Sequence, residues 1–407
     1  MWSWSRIAAA APRAADLANG ACSAQSRLRL FGRSESDVRV VLYRDHHAWC
    51  PYCQKVWLWL ELSKVPYRVE KVTMFCYGEK ERWYKKLCPS GMLPALTLDG
   101  SLITESDVVL ERLEAAFSPL GGKAMRARDV VPLRRLERHL FGAWCEWLCR
   151  PARSEADERR ARSQFEAAAD AVEDALAATP GPFFLGNEIS TGDVVFVPYV
   201  ERMSASLFYY KGFQLRDATA RPRLCAWFEA LETLPAYLGT QSDFHTHCHD
   251  LPPQMGGCYG SAPEARLVDA RLGGIACETS APAPPDAAAF AASRVAQFKD
   301  DIVSVNGETD DAAALDEALR ATLTNMLEGT AIAPPPGTAA ALRYVRDRVN
   351  VPRDMPLWSA RALCKALEET AALDSTASPR SAIPVADRRD QDPKPFQRRD
   401  RAERVTA

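Results

Sequence analysis

The sequence predicts a small α/β domain followed by two helical units, and three observations carry that reading. A β-branched run, Val38 to Tyr43, hands over to an apolar-periodic helix at a two-thiol motif, Trp49-Cys50-Pro51-Tyr52-Cys53. Strand and helix patterns then alternate until about residue 120, after which helix patterns dominate. Finally, a Pro-Pro break at Pro252-Pro253 and Pro-rich connections at Ala281 to Pro285 and Ala333 to Gly337 set off a last helical segment.

Taken in order, the first helix covers Gln54 to about Lys64 with Val56, Trp57, Leu60 and Leu62 as apolar residues, and a strand follows at Tyr67 to Val72. Glu79 to Leu87 reads as a helix, Pro89-Ser90-Gly91 as a turn, and Ala95 to Leu98 as a strand. Asp99-Gly100 is a tight turn that pairs this strand with Leu102-Ile103 as a hairpin. Ser106 to Phe117 closes the unit as a helix, and the resulting order, βαβαββα, is that of the thioredoxin fold.

Helices at about Arg126 to Cys149 and Glu155 to Ala178 come next. Ser190-Thr191-Gly192-Asp193 starts another, with the serine capping the N-H three residues on, Asp193 reaching back, and Ile189 available to pack on Val194. Loss of such a cap costs about 1 kcal/mol, so Asp193 is read as structural. The last segment carries candidate helices at Ala287 to Val305, Asp310 to Leu327, Ala339 to Val349 and Ser359 to Leu373. Ala313, Leu315, Leu319, Leu323 and Leu327 form a stripe at helical spacing, read as core. From Asp374 the chain is polar and proline-bearing, which predicts a disordered tail.

Bulk properties exclude several functions. A net charge of -2 gives no footprint for nucleic acid, and the sequence has no run of 18 or more apolar residues to span a membrane. The 12 cysteines are scattered, unlike a secreted disulfide framework, which favours a reducing compartment. Residues 1–37 set Arg6, Arg13, Arg27, Arg29 and Arg33 against Asp16 and Glu35 among alanines and serines, a composition expected of an organelle transit peptide.

The chemistry is expected at the two thiols. Cys50, on the first turn of its helix, meets unpaired backbone N-H groups and the positive end of the helix dipole, which favour thiolate and make it the expected nucleophile. Pro51 suits the first helical position because its missing N-H had no helical partner. Cys53 lies one turn in, either as a resolving thiol or as a buried small hydrophobe. His46 or His47, if charged, would further favour a Cys50 thiolate. His245, His247, Cys248 and His249 crowd one segment that reads as a surface or interdomain loop without the spacing of a structural zinc site, so no metal is expected.

Four motifs then carry a family resemblance: CPYCQKVWLWLE at Cys50 to Glu61, PSGMLPAL at Pro89 to Leu96, TESD at Thr104 to Asp107, and the STGD helix start. In order and spacing they closely resemble the N-terminal and second domains of glutathione transferases. A cysteine at the catalytic place is similar to the omega, lambda and dehydroascorbate-reductase-like classes. The segments HHAWCPYCQKVWLWLE and VEKVTMFCYGEKERWY, with a long extension from DLPPQMGGCY, resemble the iota class of photosynthetic organisms, which turns the presequence reading toward a plastid.

The resemblance implies a thioredoxin-like glutathione-binding domain at 38–120, an all-α glutathione transferase C-terminal domain at 121–252, a helical extension at 253–373 and a tail at 374–407. It further implies a glutathione-dependent thiol transferase or reductase working through a Cys50-glutathione mixed disulfide, on a small oxidised or electrophilic second substrate. Pro94 sits where the thioredoxin fold places a cis proline, so Leu93 would clamp the cysteinyl unit of glutathione through its main chain. Glu105 and Ser106 correspond to the γ-glutamyl contacts, and Lys80 and Trp83 fall where related enzymes contact the glycyl end. A second-substrate pocket is expected between the domains, near helices bearing Trp144, Trp147, Tyr199 and Phe208. Homodimerisation follows from the resemblance, and the alternative reading is a redox-sensing or scaffold protein that acts through its extension.

Overall fold

A computed structural model describes residues 1–10, 16–272, 274–306 and 312–376. It opens with a short helix, α1 (Trp4–Ala9), and a two-residue strand, β1 (Leu28–Arg29). Then come β2 (Val40–Asp45), α2 (Pro51–Leu62), β3 (Tyr67–Val72), α3 (Arg82–Leu87), β4 (Ala95–Leu98), β5 (Ser101–Thr104) and α4 (Ser106–Phe117), in the expected βαβαββα order. The sheet runs β1-β3-β2-β4-β5, with β2 parallel to β3 and the other pairs antiparallel. Asp99 and Gly100 take φ of 51° and 81°, the two left-handed residues that a tight hairpin between β4 and β5 requires.

The second domain consists of α5 (Val130–Leu148), α6 (Glu155–Ala177), α7 (Thr191–Lys211), α8 (Pro222–Leu231), α9 (Pro235–Thr240) and α10 (Phe244–Met255). Buried along most of its length, α7 packs on α5, α10 and α2, so one hydrophobic core joins both domains through Trp57, Trp59, Trp144 and Val195. The cap that starts α7 forms as expected. Asp193 Oδ2 accepts from the Ser190 N-H at 2.9 Å and hydroxyl at 2.8 Å, while Oδ1 accepts from Phe184 N and Trp227 Nε1, both at 3.0 Å.

The extension comprises α11 (Ala265–Ala270), α12 (Ala287–Gln297), α13 (Lys299–Asn306), α14 (Ala312–Glu328), α15 (Ala339–Arg348) and α16 (Leu357–Ala371). The helix expected over Ala287 to Val305 is two helices, broken at Phe298, and the expected start at Asp310 lies outside the described residues. The extension has a core of its own, to which the predicted stripe supplies Leu315, Leu319 and Leu323, while Ala313 is exposed.

Three boundaries differ from those the sequence suggests. The break at Pro252-Pro253 falls inside α10, near its C-terminal end, where prolines remove N-H groups from only the final turn. The carbonyl of Cys248, which Pro252 cannot serve, accepts instead from the Tyr210 hydroxyl at 2.9 Å. Buried polar contacts also bind the extension to the second domain, among them Asn350 Nδ2 to Asp250 at 2.8 Å and Arg271 to Asp243 at 2.7 Å. At the C-terminal end, the Asp374 carboxylate accepts from the N-H groups of Gly337 and Ala339 at 2.8 and 3.1 Å, so the folded chain passes the expected tail boundary. The remainder of the expected tail, 377–407, lies outside the described residues.

The third difference concerns residues 1–37, whose composition suggests a presequence and parts of which pack into the fold. α1 buries Ile7 against the extension, and β1 adds a strand to the sheet beside β3. Arg29, on β1, makes a two-pronged pair with Glu61 at 2.8 and 2.9 Å and donates to the carbonyls of Leu17 and Gly20. A two-residue strand in an arginine-rich stretch gives no alternation to detect, which is why composition dominated the sequence reading.

A cavity of about 440 Å³ separates the sheet from the extension, with Lys71 of β3 facing Arg294, Arg348 and Arg353. Burial, then Arg44, Arg27 and Arg294, push the Lys71 ammonium down to about 8. The unfolded chain, titrating near 10.4, therefore binds more protons between roughly pH 8 and 10.4, so this residue makes stability rise with pH across that window. Lys71→Met is expected to raise stability at neutral pH and to flatten that rise, as read from urea midpoints at pH 7 and pH 9.5. Unchanged slopes in wild type and variant would mean that Lys71 keeps its ordinary affinity for the proton.

Candidate active site

Strand register brings the predicted residues to one end of the sheet. Tyr43 pairs with Ala95, Ala95 with Thr104, and Asp45 with Val72, so the loops that leave β2, β3 and β5 and the one that enters β4 emerge side by side. These loops carry Cys50, Lys80, Glu105-Ser106 and Leu93-Pro94 respectively.

Cys50 caps α2 with extended backbone, and Pro51 takes the first helical position, as the sequence implies. Cys50 keeps 6% of its surface exposed and Cys53 only 1%. The N-H of Cys50 is not open to its own sulfur, because Asp45 Oδ2 accepts from Trp49 N at 2.7 Å and from Cys50 N at 3.1 Å. Asp45 is itself buried, and one of its oxygens and both sulfurs lie within 4.8 Å of one another. Burial, then hydrogen bonding with Cys50, raises Cys53 well above the usual thiol range, so it rests as a thiol.

Arg202 of α7 reaches this loop from the second domain. Its guanidinium donates to the carbonyl of Trp49 and, at 2.8 Å, to Gln54 Oε1, and it stacks 4.5 Å from the centre of the Trp49 ring. Neighbouring Glu201 accepts from Gln54 Nε2 at 2.8 Å and from Ser242 N at 2.7 Å. The second domain thus fixes the start of α2 and sets a buried cation beside the nucleophile's loop.

Lys80 precedes α3 and donates to the Thr73 carbonyl at 2.9 Å. Burial lowers its ammonium, and opposing that are first Cys53 and then Cys50, which puts the amine within electrostatic reach of both sulfurs. Trp83 is exposed and packs on Tyr43 and Tyr84. The Leu93-Pro94 bond is cis, and the Tyr84 hydroxyl, donating to Met92 O at 2.6 Å, secures the segment before it.

Glu105 holds φ 64° and ψ 111°, a conformation that costs a non-glycine residue about 1–3 kcal/mol and that concentrates at functional sites. It presents Ser106 as the first residue of α4. Both line a cavity of about 570 Å³ together with Tyr52, Lys55, Arg134 and Arg138. Asp107 bridges Lys55 and Arg134, the latter at 2.9 Å. Burial alone would raise its carboxyl, yet those two cations hold it below the usual range. The cavity therefore offers fixed cations and a carboxylate in one place, suited to a ligand that carries both charges.

One expectation fails here. Burial pushes His47 well below the usual imidazole range, and it lowers His46 as well, so neither is the imidazolium that was to assist Cys50. The cavity is lined by α5 and α7, the helices that bear Trp144, Trp147, Tyr199 and Phe208, while Trp144, Trp147 and Phe208 themselves are core, with Trp144 Nε1 bonded to Ser206 at 3.1 Å and Trp147 Nε1 to Glu158 at 2.7 Å. Tyr199 alone meets the cavity wall, edge-on to Tyr52 at 5.7 Å and under Arg138 at 4.7 Å. The sequence reading missed Asp45, Tyr52, Arg138 and Arg202. An acid ending a strand five residues before the thiol was a usable signal for Asp45, whereas nothing local links Arg202 to Cys50.

Fold and site together define a two-domain protein of thioredoxin type, with a dithiol at the head of a helix and an all-helical partner domain. Residues 49–116 match the family model for the glutathione S-transferase N-terminal domain, and residues 155–230 match that for the glutathione S-transferase C-terminal domain. The two matches lie in that order along the chain, the first on the sheet-bearing unit and the second on the helices that follow it. It is 26% identical over 174 residues to glutathione S-transferase DHAR2 of Arabidopsis thaliana, covering 43% of this chain and 76% of that protein. It is 24% identical over 196 residues to the chloroplastic glutathione S-transferase DHAR3 of the same plant, covering 48% and 69%. The crystal structure of Chlamydomonas reinhardtii dehydroascorbate reductase superposes with a TM-score of 0.41 at 22% identity, over 49% of this chain and 91% of that one.

Proposed function

We propose that the protein is a glutathione-dependent thiol transferase or reductase of cysteine type, similar to the iota class, in which Cys50 forms a mixed disulfide with glutathione. The observation that carries this reading is the shared strand-end edge. There the loops bearing Cys50, Leu93-Pro94 and the strained Glu105-Ser106 turn leave the same end of the sheet, and Tyr52, Glu105 and Ser106 line a cavity holding both charges. Glutathione is the co-substrate. Glu105 would receive its γ-glutamyl ammonium, Ser106 and the start of α4 its carboxylate, Leu93 its cysteinyl main chain, and Lys80 its glycyl end.

In the first step the Cys50 thiolate attacks the glutathione sulfur of a mixed disulfide, forming enzyme-S-S-glutathione and expelling the substrate thiolate. Either a second glutathione thiolate then attacks the glutathione sulfur, giving glutathione disulfide and free Cys50, or Cys53 attacks Cys50 and expels glutathione. The second route needs Cys53 to lose its proton, for which Asp45 is the adjacent acceptor. A plastid location is in keeping with the chloroplastic relative, and a homodimer with the fold.

A panel of dehydroascorbate, a glutathione mixed disulfide and an aryl halide tests the function. Reduction of the first two is expected to exceed conjugation, and conjugation alone would overturn the assignment. For Cys53, mass spectrometry after brief exposure to glutathione disulfide is expected to find an internal disulfide in the wild type and a lasting glutathione adduct in Cys53→Ser. A lasting adduct in both would remove Cys53 from the cycle.

A further inference from the structure

We propose that His245, His249 and Asp269 form a binding site for one divalent first-row transition-metal ion, of which zinc is the type. The segment His245-Thr246-His247-Cys248-His249 is helix, where the sequence suggested a loop, and that changes which side chains can converge. Residues four apart share a helical face. His245 and His249 accordingly stack with ring centroids 4.4 Å apart, while His247 turns to Glu201 at 3.3 Å and the Cys248 thiol to the Ala205 carbonyl.

The third donor comes from α11. Asp269 Oδ1 lies 2.8 Å from His249 Nε2, and one donor atom from each of the three residues falls within 4.8 Å of the others. The carboxylate is oriented independently, because the Tyr209 hydroxyl of α7 donates to its other oxygen at 3.1 Å and the Tyr209 ring packs edge-on against His249 at 5.5 Å. Such outer contacts are what fix a ligating carboxylate and an imidazole. Both histidines are buried, and Asp269 is partly exposed at the rim.

Two imidazoles and one carboxylate form a nitrogen and oxygen set that suits zinc and its neighbours, with Zn-N near 2.0–2.1 Å and Zn-O near 2.0–2.2 Å. Loading would replace the His249-Asp269 hydrogen bond and bring a nitrogen of His245 to the same ion, a rearrangement to which the partly exposed Asp269 can adapt. The ion would clamp α11, the first helix of the extension, onto α10 and, through Tyr209, onto α7. Binding to the folded state alone would also raise thermal stability.

The test uses full-length protein stripped with EDTA, its active-site thiols held oxidised by glutathione disulfide, as internal disulfide or glutathione adduct, so that the Asp45-Cys50-Cys53 cluster cannot compete. Cobalt(II) titration is expected to saturate at one equivalent, with visible d-d bands, no thiolate charge-transfer band, and displacement by zinc. His249→Gln and Asp269→Asn should each weaken cobalt binding by at least about 10- to 100-fold, the loss caused even by removing an outer-shell partner. Asp269 is at the rim, so Asp269→Asn is expected to melt like the metal-free wild type, which keeps the test valid if His249→Gln does not fold. Equal cobalt affinity in wild type and Asp269→Asn, an absence of binding, or a thiolate band on loading each overturns the site.

Discussion

Cys50→Ser is expected to reduce disulfide reductase activity by a factor on the order of 10³ or more while leaving the fold intact. The Cys50 thiolate forms the mixed disulfide on which the rest of the proposed cycle depends, and a serine hydroxyl does not exchange with a disulfide. The fold should survive because Cys50 occupies the N-cap of α2, a position that serine fills well. Cys53 cannot stand in for the lost thiol, since it is 1% exposed and burial holds it protonated. Conjugation should respond in the opposite sense. A hydroxyl at this place can hydrogen-bond a glutathione thiolate without trapping it, so aryl halide turnover is expected to persist or rise. Reductase activity undiminished in Cys50→Ser would sink the whole functional reading.

Arg29→Met is expected to cost about 3–5 kcal/mol, read as a lower urea midpoint at unchanged m-value. Arg29 and Glu61 keep only 2% and 3% of their side-chain surface. Glu61 also accepts from the Tyr67 hydroxyl at 2.6 Å, which cannot neutralise the carboxylate once the guanidinium is gone. The double variant Arg29→Met/Glu61→Met should recover much of the loss, because an apolar pair replaces an uncompensated charge. The same physics makes removal of residues 1–37 destabilising, since it deletes β1 and strands Glu61 in the core. A cost below about 0.5 kcal/mol for Arg29→Met, the range of ordinary surface changes, would restore the reading of this segment as a detachable leader.

The contrast between these two sites explains what could be read in advance. Cys50 was legible because its signals are local: a β-branched run, two thiols at a fixed offset, a proline suited to the first helical position. Glu105-Ser106 and Leu93-Pro94 were legible only as motifs in register with Cys50, and the hairpin through Asp99-Gly100 is what physically sets that register. Arg29-Glu61 was not legible, for the pair spans 32 residues and one partner sits in a stretch whose composition pointed elsewhere. The histidine cluster was misread for a related cause. Its residues were counted correctly, but with a helix replaced by a loop the i, i+4 pairing of His245 with His249 disappears.

By itself, the sequence determined the element order, the two domains, the capping box at Ser190 and the place of Cys50 at the head of α2, because periodicity, caps and turn chemistry act over a few residues. Only the tertiary structure decided that Arg202 braces the Cys50 loop, that Asp45 claims the Cys50 N-H, that His46 and His47 are uncharged, and that the first 37 residues contribute to the folded body. Each of those depends on burial and on partners distant in the chain or placed by a turn. Desolvation and pairing energies of that kind exist only once the core has closed.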